Sequence, residues 1–247
     1  MCTVSIIPFG SRGYRLVANR DEQRTRAEAH PPVRTTLGAE GRTAVWPVDP
    51  AGGGTWVGVN DLGLCAAALN LNEPVDPSAA PRRSERSRGS IIPALLHRTS
   101  AAGAAVDLQG LELAGILPFR MVVVDEIEAW IARWTGAELT VERTDLRPIC
   151  LASSGLGDAL VAPRLDLFAR EVMARGAGPE TQDAFHAHRW PERPEISVFM
   201  DRRDARTVSR TWVEVGSRSI TMRYEPVGGA PASISLERTP VRSGAPG

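Results

Sequence analysis

Cys2 follows Met1 directly, so removal of Met1 would place a thiol and the chain's α-amine on one residue. The thiolate is the nucleophilic form, and an unperturbed thiol titrates at about 8.5. An α-amine titrates at about 7.7–8.0 and can act as a base near neutral pH. Nucleophilic catalysis assisted by the chain's own amine is an established solution. The next residues supply a means of completing such a site. Residues 3–7 (Thr-Val-Ser-Ile-Ile) read as a strand, 8–13 as a turn and 14–18 as a second strand. That hairpin would return Asn19-Arg20-Asp21-Glu22 to the side of Cys2.

The remaining elements must position this pair of strands. Residues 23–50 are polar and contain Pro31, Pro32 and Pro47, so they read as an irregular excursion with a short strand at 43–46. Residues 55–59 and 64–69 alternate or run apolar around the turn-forming Asn60-Asp61-Leu62-Gly63, predicting a hairpin that ends on Asn70-Leu71-Asn72. The preceding Gly52-Gly53-Gly54 lacks the Lys-Ser/Thr of a phosphate loop, leaving a plain turn or a close approach of backbone to a site. Residues 73–86 read as a mobile, arginine-rich loop. Ser90 can cap a short helix, with Pro93 in its first turn, and a second short helix follows over 104–113.

Strands are expected at 121–124, 129–134, 139–141 and 149–152, and an amphipathic helix over 160–174. Residues 176–194, with His186, His188 and Trp190, read as a loop. Strands at 197–200, 208–215 and 219–224 close the chain, and 227–247 reads as a flexible tail. Hairpins dominate, without βαβ alternation. This predicts antiparallel sheets with segregated helices in one domain over 1–226.

Composition narrows the function classes. Lys plus Arg and Asp plus Glu both number 29, so zero net charge argues against a generic nucleic-acid binder. No apolar run is long enough to span a bilayer, and the N-terminus lacks the pattern of a secretory signal. Cys2, Cys65 and Cys150 are too few for a disulfide framework. Four histidines give no metal signature, and no cofactor is expected. The expectation is a soluble, cytoplasmic protein of open oligomeric state.

Several motifs together resemble a known family. Met1-Cys2-Thr3, Asn19-Arg20-Asp21-Glu22, Gly53-Gly54-Thr55-Trp56-Val57-Gly58-Val59 with Gly63-Leu64 and Leu69-Asn70, and Ser87-Arg88-Gly89 look like the NRDE family, also named for transport and Golgi organisation. That family resembles N-terminal-nucleophile hydrolases, most closely the choloylglycine hydrolase and penicillin V acylase group. The resemblance implies an α+β fold: a four-layer αββα sandwich of two antiparallel sheets. It implies Cys2 as nucleophile, Asp21 holding the freed amine, Arg20 beside the thiol, Asn70 in an oxyanion hole and Arg210 near the last strands. Asn19, Trp56 and Asn72 are the expected substrate contacts. At 152–156 (Ala-Ser-Ser-Gly-Leu), Ser154 stands where relatives carry an asparagine.

Three readings follow. The first is an amidohydrolase that cleaves a small amide or acyl substrate through a Cys2 thioester. The second is a non-enzymatic carrier of a haem-like or lipid/acyl-CoA-related ligand on the same scaffold. The family name adds a secretory-pathway organiser, against which the missing signal and membrane segments speak.

Overall fold

The computed structural model describes residues 2–73 and 86–239. Most of the loop expected at 73–86 and the last residues of the expected tail lie outside these.

Cys2–Pro8 (β1) and Tyr14–Gln23 (β2) pair antiparallel with Cys2 opposite Arg20. Side chains of a strand alternate between faces. One face of this hairpin therefore carries Cys2, Val4, Ile6, Tyr14, Leu16 and Ala18, and these enter the main core. The other carries Thr3, Ser5, Ile7, Arg15, Asn19 and Asp21, also buried. A strand buried on both faces has to be covered by two layers, and the rest of the chain provides them.

Among the described residues, thirteen strands make two sheets. The first has the order β10-β1-β2-β11-β12-β13, where β10 is Ile149–Ser153, β11 Ala205–Val215, β12 Ser219–Pro226 and β13 Ala232–Glu237. The second runs from His30–Leu37 (β3) through Arg42–Val48 (β4), Val57–Asn60 (β5), Cys65–Asn70 (β6), Phe119–Val124 (β7) and Glu128–Trp134 (β8) to Leu139–Asp145 (β9). Every named strand pair is antiparallel. Between the sheets, Val4, Leu16 and Val213 pack with Val57, Val59, Val122 and Val124. Burying each such side chain fully stabilises the fold by about 1.5–3 kcal/mol.

Helices cover the outer faces. Ile91–Leu95 (α1) and Ala101–Gly110 (α2) place Ile92, Leu95, Ala104 and Leu108 against Met121 and Val123 of the second sheet. Ala162–Glu171 (α3) and Pro179–Ala187 (α4) place Leu167, Phe168 and Phe185 against Ile7 of the first. The result is the expected αββα sandwich. No described helix is long and apolar enough to cross a membrane.

Four expectations are corrected. Residues 30–37 form β3 despite Pro31 and Pro32: it is an edge strand, and its register shifts between His30 and Val33, where missing N–H groups are tolerated. Residues 179–187 form α4 rather than a loop. Pro179 sits at the helix start, and the buried face is Gln182, Phe185 and His186, which an apolar periodicity cannot reveal. Residues 197–200 are not a strand; their backbone bonds instead to the Asn19 side chain and to His188. The tail expected from Val227 contains β13, whose Ile234 and Leu236 alternate with polar residues and pack on the core. Arg238 then anchors it by donating to the carbonyls of Leu62 and Gly216.

Candidate active site

Cys2 opens β1, flanked by Arg20 on β2 and Ser153 on β10. Its backbone nitrogen donates to Ser153 Oγ at 3.2 Å. Burial pushes the Cys2 thiol up, and the charges of Asp21 and Glu22 push it further, while a hydrogen bond from the Asp21 peptide N–H favours the thiolate.

Cys2 lines a cavity of about 420 Å³ built from both sheets. Arg20 enters from β2, Leu69 and Asn70 from the end of β6, Trp56 from the segment leading into β5, and Ser87-Arg88-Gly89 from the segment leading into α1. Two glycines make this closure possible. A Cβ on Gly54 would lie 2.6 Å from the Gly89 carbonyl carbon, and one on Gly89 would lie 2.6 Å from the Thr55 nitrogen. Thr55 N–H donates to Gly89 O across the contact at 3.2 Å. The glycine run thus serves a close backbone approach and not a phosphate loop.

The cavity's charges are unequally partnered. Arg20 lies 3.5 Å from Asp49 and 3.6 Å from Glu22, and its guanidinium sits 4.5 Å above the Trp56 ring. Arg26 also bonds Asp49. Burial alone would raise the Asp49 carboxyl, but Arg26 and Arg20 together hold it below its ordinary value. Arg88 donates to Pro118 O at 3.0 Å. Among the described residues it has no carboxylate within ion-pair distance. Burial lowers its pKa, and the nearby Cys2 and Glu22 charges oppose that. The Asn70 side chain makes no hydrogen bond to another described residue. Trp56 Nε1 is buried and likewise lacks a partner among them.

Of the expected residues, Cys2, Arg20, Trp56 and Asn70 line this cavity; Asp21, Asn19, Ser154, Asn72 and Arg210 do not. Asp21 lies on the helix-covered face, where Oδ1 accepts from Thr207 Oγ1 at 2.6 Å and Arg164 of α3 approaches to 3.6 Å. Burial raises its carboxyl, while Arg164 and Thr207 oppose the shift. Asn19, expected as a substrate contact, is fully buried outside the cavity and donates to the carbonyls of His186 and Val198, tying β2 to α4 and the segment after it. Ser154 is engaged locally, its hydroxyl accepting from Leu156 N–H and its own N–H donating to Asp158. Asn72 is clasped to the same Asp158. Arg210, opposite Asn19 in the strand register, pairs with Glu225 and lies against Phe199 and Trp212. The strand period explains the division: even-numbered positions of β2 face the cavity side, and Asn19 and Asp21 are odd.

His186, expected in a loop, is fully buried on α4. Its Nε2 lies 2.7 Å from Ser5 Oγ, and its Nδ1 lies 2.9 Å from Asn19 Oδ1. Burial pushes its pKa well below the ordinary value, and Arg15, Arg210 and Arg164 add to the effect.

Sequence reasoning assigned no role to Ser153, Arg88, Arg26, Asp49 or Arg164. Arg88 was signalled by its Ser-Arg-Gly motif and Ser153 by its place before Ser154. Arg164, alone among apolar helix positions, carried no signal. Among the described residues no group of three or more His, Cys, Asp or Glu side chains is placed to hold a metal ion.

The family model TANGO2, Transport and Golgi organisation 2, matches residues 1–144. Penicillin V acylase from Agrobacterium tumefaciens superposes with a TM-score of 0.57 at 12% identity, covering 95% of this chain and 86% of that one. The Caenorhabditis elegans N-acylethanolamine-hydrolyzing acid amidase ortholog gives 0.55 at 9% identity, over 86% of this chain and 92% of that one. A mutant conjugated bile acid hydrolase from Clostridium perfringens gives 0.56 at 11% identity, over 95% and 92%. No curated protein sequence matches the chain. At these identities the structural likeness establishes the fold.

Proposed function

The chain belongs to the Transport and Golgi organisation 2 family, and from that premise we propose that it is an N-terminal-nucleophile amidohydrolase acting on a small amide or related acyl substrate. The observation that carries this reading is that Cys2 and the uncommitted Asn70 amide line one cavity although they come from different sheets. Removal of Met1 turns the Cys2 nitrogen, already bonded to Ser153 Oγ, into an α-amine beside the thiol. The amine takes the thiol proton, and the thiolate attacks the carbonyl carbon. Asn70 donates to the resulting oxyanion. Collapse breaks the C–N bond, and the leaving amine takes the proton back from the ammonium. Water, deprotonated by the same amine, then hydrolyses the thioester and frees the acid. Asp21, buried behind the first strand pair, favours the protonated amine electrostatically, and Arg88 favours the thiolate.

Screening of an acyl-amide panel with mass detection tests the reading. The mature chain is expected to release amine and to accumulate an acyl adduct on Cys2. Cys2→Ala should do neither, and Asn70→Ala should lower kcat by about 10²–10³-fold, the effect of losing one oxyanion donor. Full turnover by Cys2→Ser or Cys2→Ala would exclude the mechanism.

The carrier reading rests on a different observation: burial pushes the Cys2 thiol up and so disfavours the thiolate, and Ser154 is not among the described residues lining the cavity. Its haem version requires a spectral shift on adding haem that Cys2→Ala abolishes.

A further inference from the structure

We infer that Arg88 is a specificity-determining residue that selects ligands bearing a monoanionic carboxylate close to the group Cys2 attacks. The inference rests on the proposed function and names the substrate class of that same site. The charges within the cavity lining are divided. Arg20 and Arg26 face Glu22 and Asp49 in a closed ion network, two cations against two anions. Arg86 also lines the cavity, but at its exposed edge, where it bonds the Glu112 carbonyl. Arg88 remains, more buried and spending one hydrogen bond on Pro118 O. A guanidinium has five N–H donors, and burying its charge without a counter-charge is costly.

The uncommitted groups around it are also donors. Trp56 is more than nine-tenths buried, lines the same cavity and leaves Nε1–H without a partner among the described residues. Asn70 adds its amide. Among the described residues, a cavity offering one part-buried guanidinium with no carboxylate partner, together with uncommitted donors, fits an acceptor-only anion. A carboxylate meets that requirement and accepts from a guanidinium in bidentate fashion. A neutral ligand would leave Arg88 uncompensated. A dianion would put a second negative charge beside Glu22 and Asp49.

Two alkylating probes of almost equal size test this. Iodoacetamide is neutral and iodoacetate carries a carboxylate one bond from the reacting carbon. With either, the thiolate forms an S–C bond and iodide leaves. Both consume the same thiolate, so the ratio of their rates cancels any effect of Arg88 on Cys2 ionisation. The iodoacetate-to-iodoacetamide ratio at Cys2 in the intact mature chain is expected to exceed that of free N-acetylcysteine by about tenfold, the scale of one charge-assisted hydrogen bond. It should fall to the N-acetylcysteine ratio in Arg88→Gln and keep an intermediate value in Arg88→Lys. Should Arg88→Gln fail to fold, salt added to the unaltered chain gives the same reading, because screening must lower the ratio. A ratio equal to that of the free thiol, or unmoved by Arg88→Gln or by salt, overturns the inference and leaves Cys2 as nucleophile. Failure of both reagents to reach Cys2 overturns the proposed function and this inference with it.

Discussion

On the face of the β1–β2 hairpin turned toward the second sheet, Cys2 and Arg20 border a cavity of about 420 Å³. On the face turned toward the helices, Ser5, His186 and Asn19 form a hydrogen-bonded chain whose residue types suit acyl transfer equally well. Those three are fully buried, and Gln182 of α4 also donates to Ser5 Oγ. Arg15 next to them binds Asp183 and Glu214. The same ribbon thus carries two polar clusters, one open to a ligand and one that fastens a helix layer. Residue type and spacing do not distinguish them; access and uncommitted donors do. Asp21 with Arg164 belongs by contact to the fastening face, although its charge is felt at Cys2.

Breaking the fastening face should have the largest effect. Arg164→Met takes a buried cation away from the Asp21 carboxylate and removes the donor to Thr3 Oγ1. The expected loss is about 3–5 kcal/mol in urea unfolding. Adding Asp21→Asn should restore part of it, because the buried charge that Arg164 faces is then removed. A loss below about 1 kcal/mol for Arg164→Met would remove the structural role assigned to that face.

A smaller effect is expected from acid. His186 is held neutral, with its folded pKa well below the ordinary value. Below about pH 6.5 the unfolded chain takes up a proton that the folded chain refuses. Stability contributed by this group is therefore complete above that pH and falls as pH drops, by up to about 1.4 kcal/mol per pH unit until the folded pKa is reached. His186→Gln should flatten that part of the curve in denaturation measured from pH 7 to 5. An unchanged slope would mean that His186 is protonated in the fold.

The smallest effect sharpens the boundary between the faces. Arg210→Ala removes a half-buried pair with Glu225, with an expected cost of less than about 1 kcal/mol. The alkylation rate of Cys2 should not change. A several-fold change would restore Arg210 to the site.

Much of this organisation was legible in the sequence. The first hairpin, the Gly-Leu hairpin ending at Asn70 and the antiparallel sheets with segregated helices rest on period-two alternation and turn chemistry, which are local; the four-layer sandwich and the role of Cys2 were implied by the family resemblance. What escaped was nonlocal. α4 buries a polar face, so it carries no apolar stripe. β3 contains two prolines that an edge position excuses. Arg20 and Asp21 are neighbours on a strand and face opposite ways, so Arg20 lines the cavity while Asp21 lies behind Cys2, where its charge is still felt. Arg88 reaches the cavity because Gly54 and Gly89 let two segments touch, a contact visible only in three dimensions.

The account stands most directly on the state and reactivity of Cys2. Intact mass, followed by brief alkylation at neutral pH with iodoacetamide and peptide mapping, reads both. Burial pushes the Cys150 thiol up to about 12 and the Cys65 thiol also far upward, so neither competes. The account predicts a chain lacking Met1 whose Cys2 labels much faster than Cys65 or Cys150. A retained Met1, or a processed Cys2 that labels no faster than the other two, would contradict it.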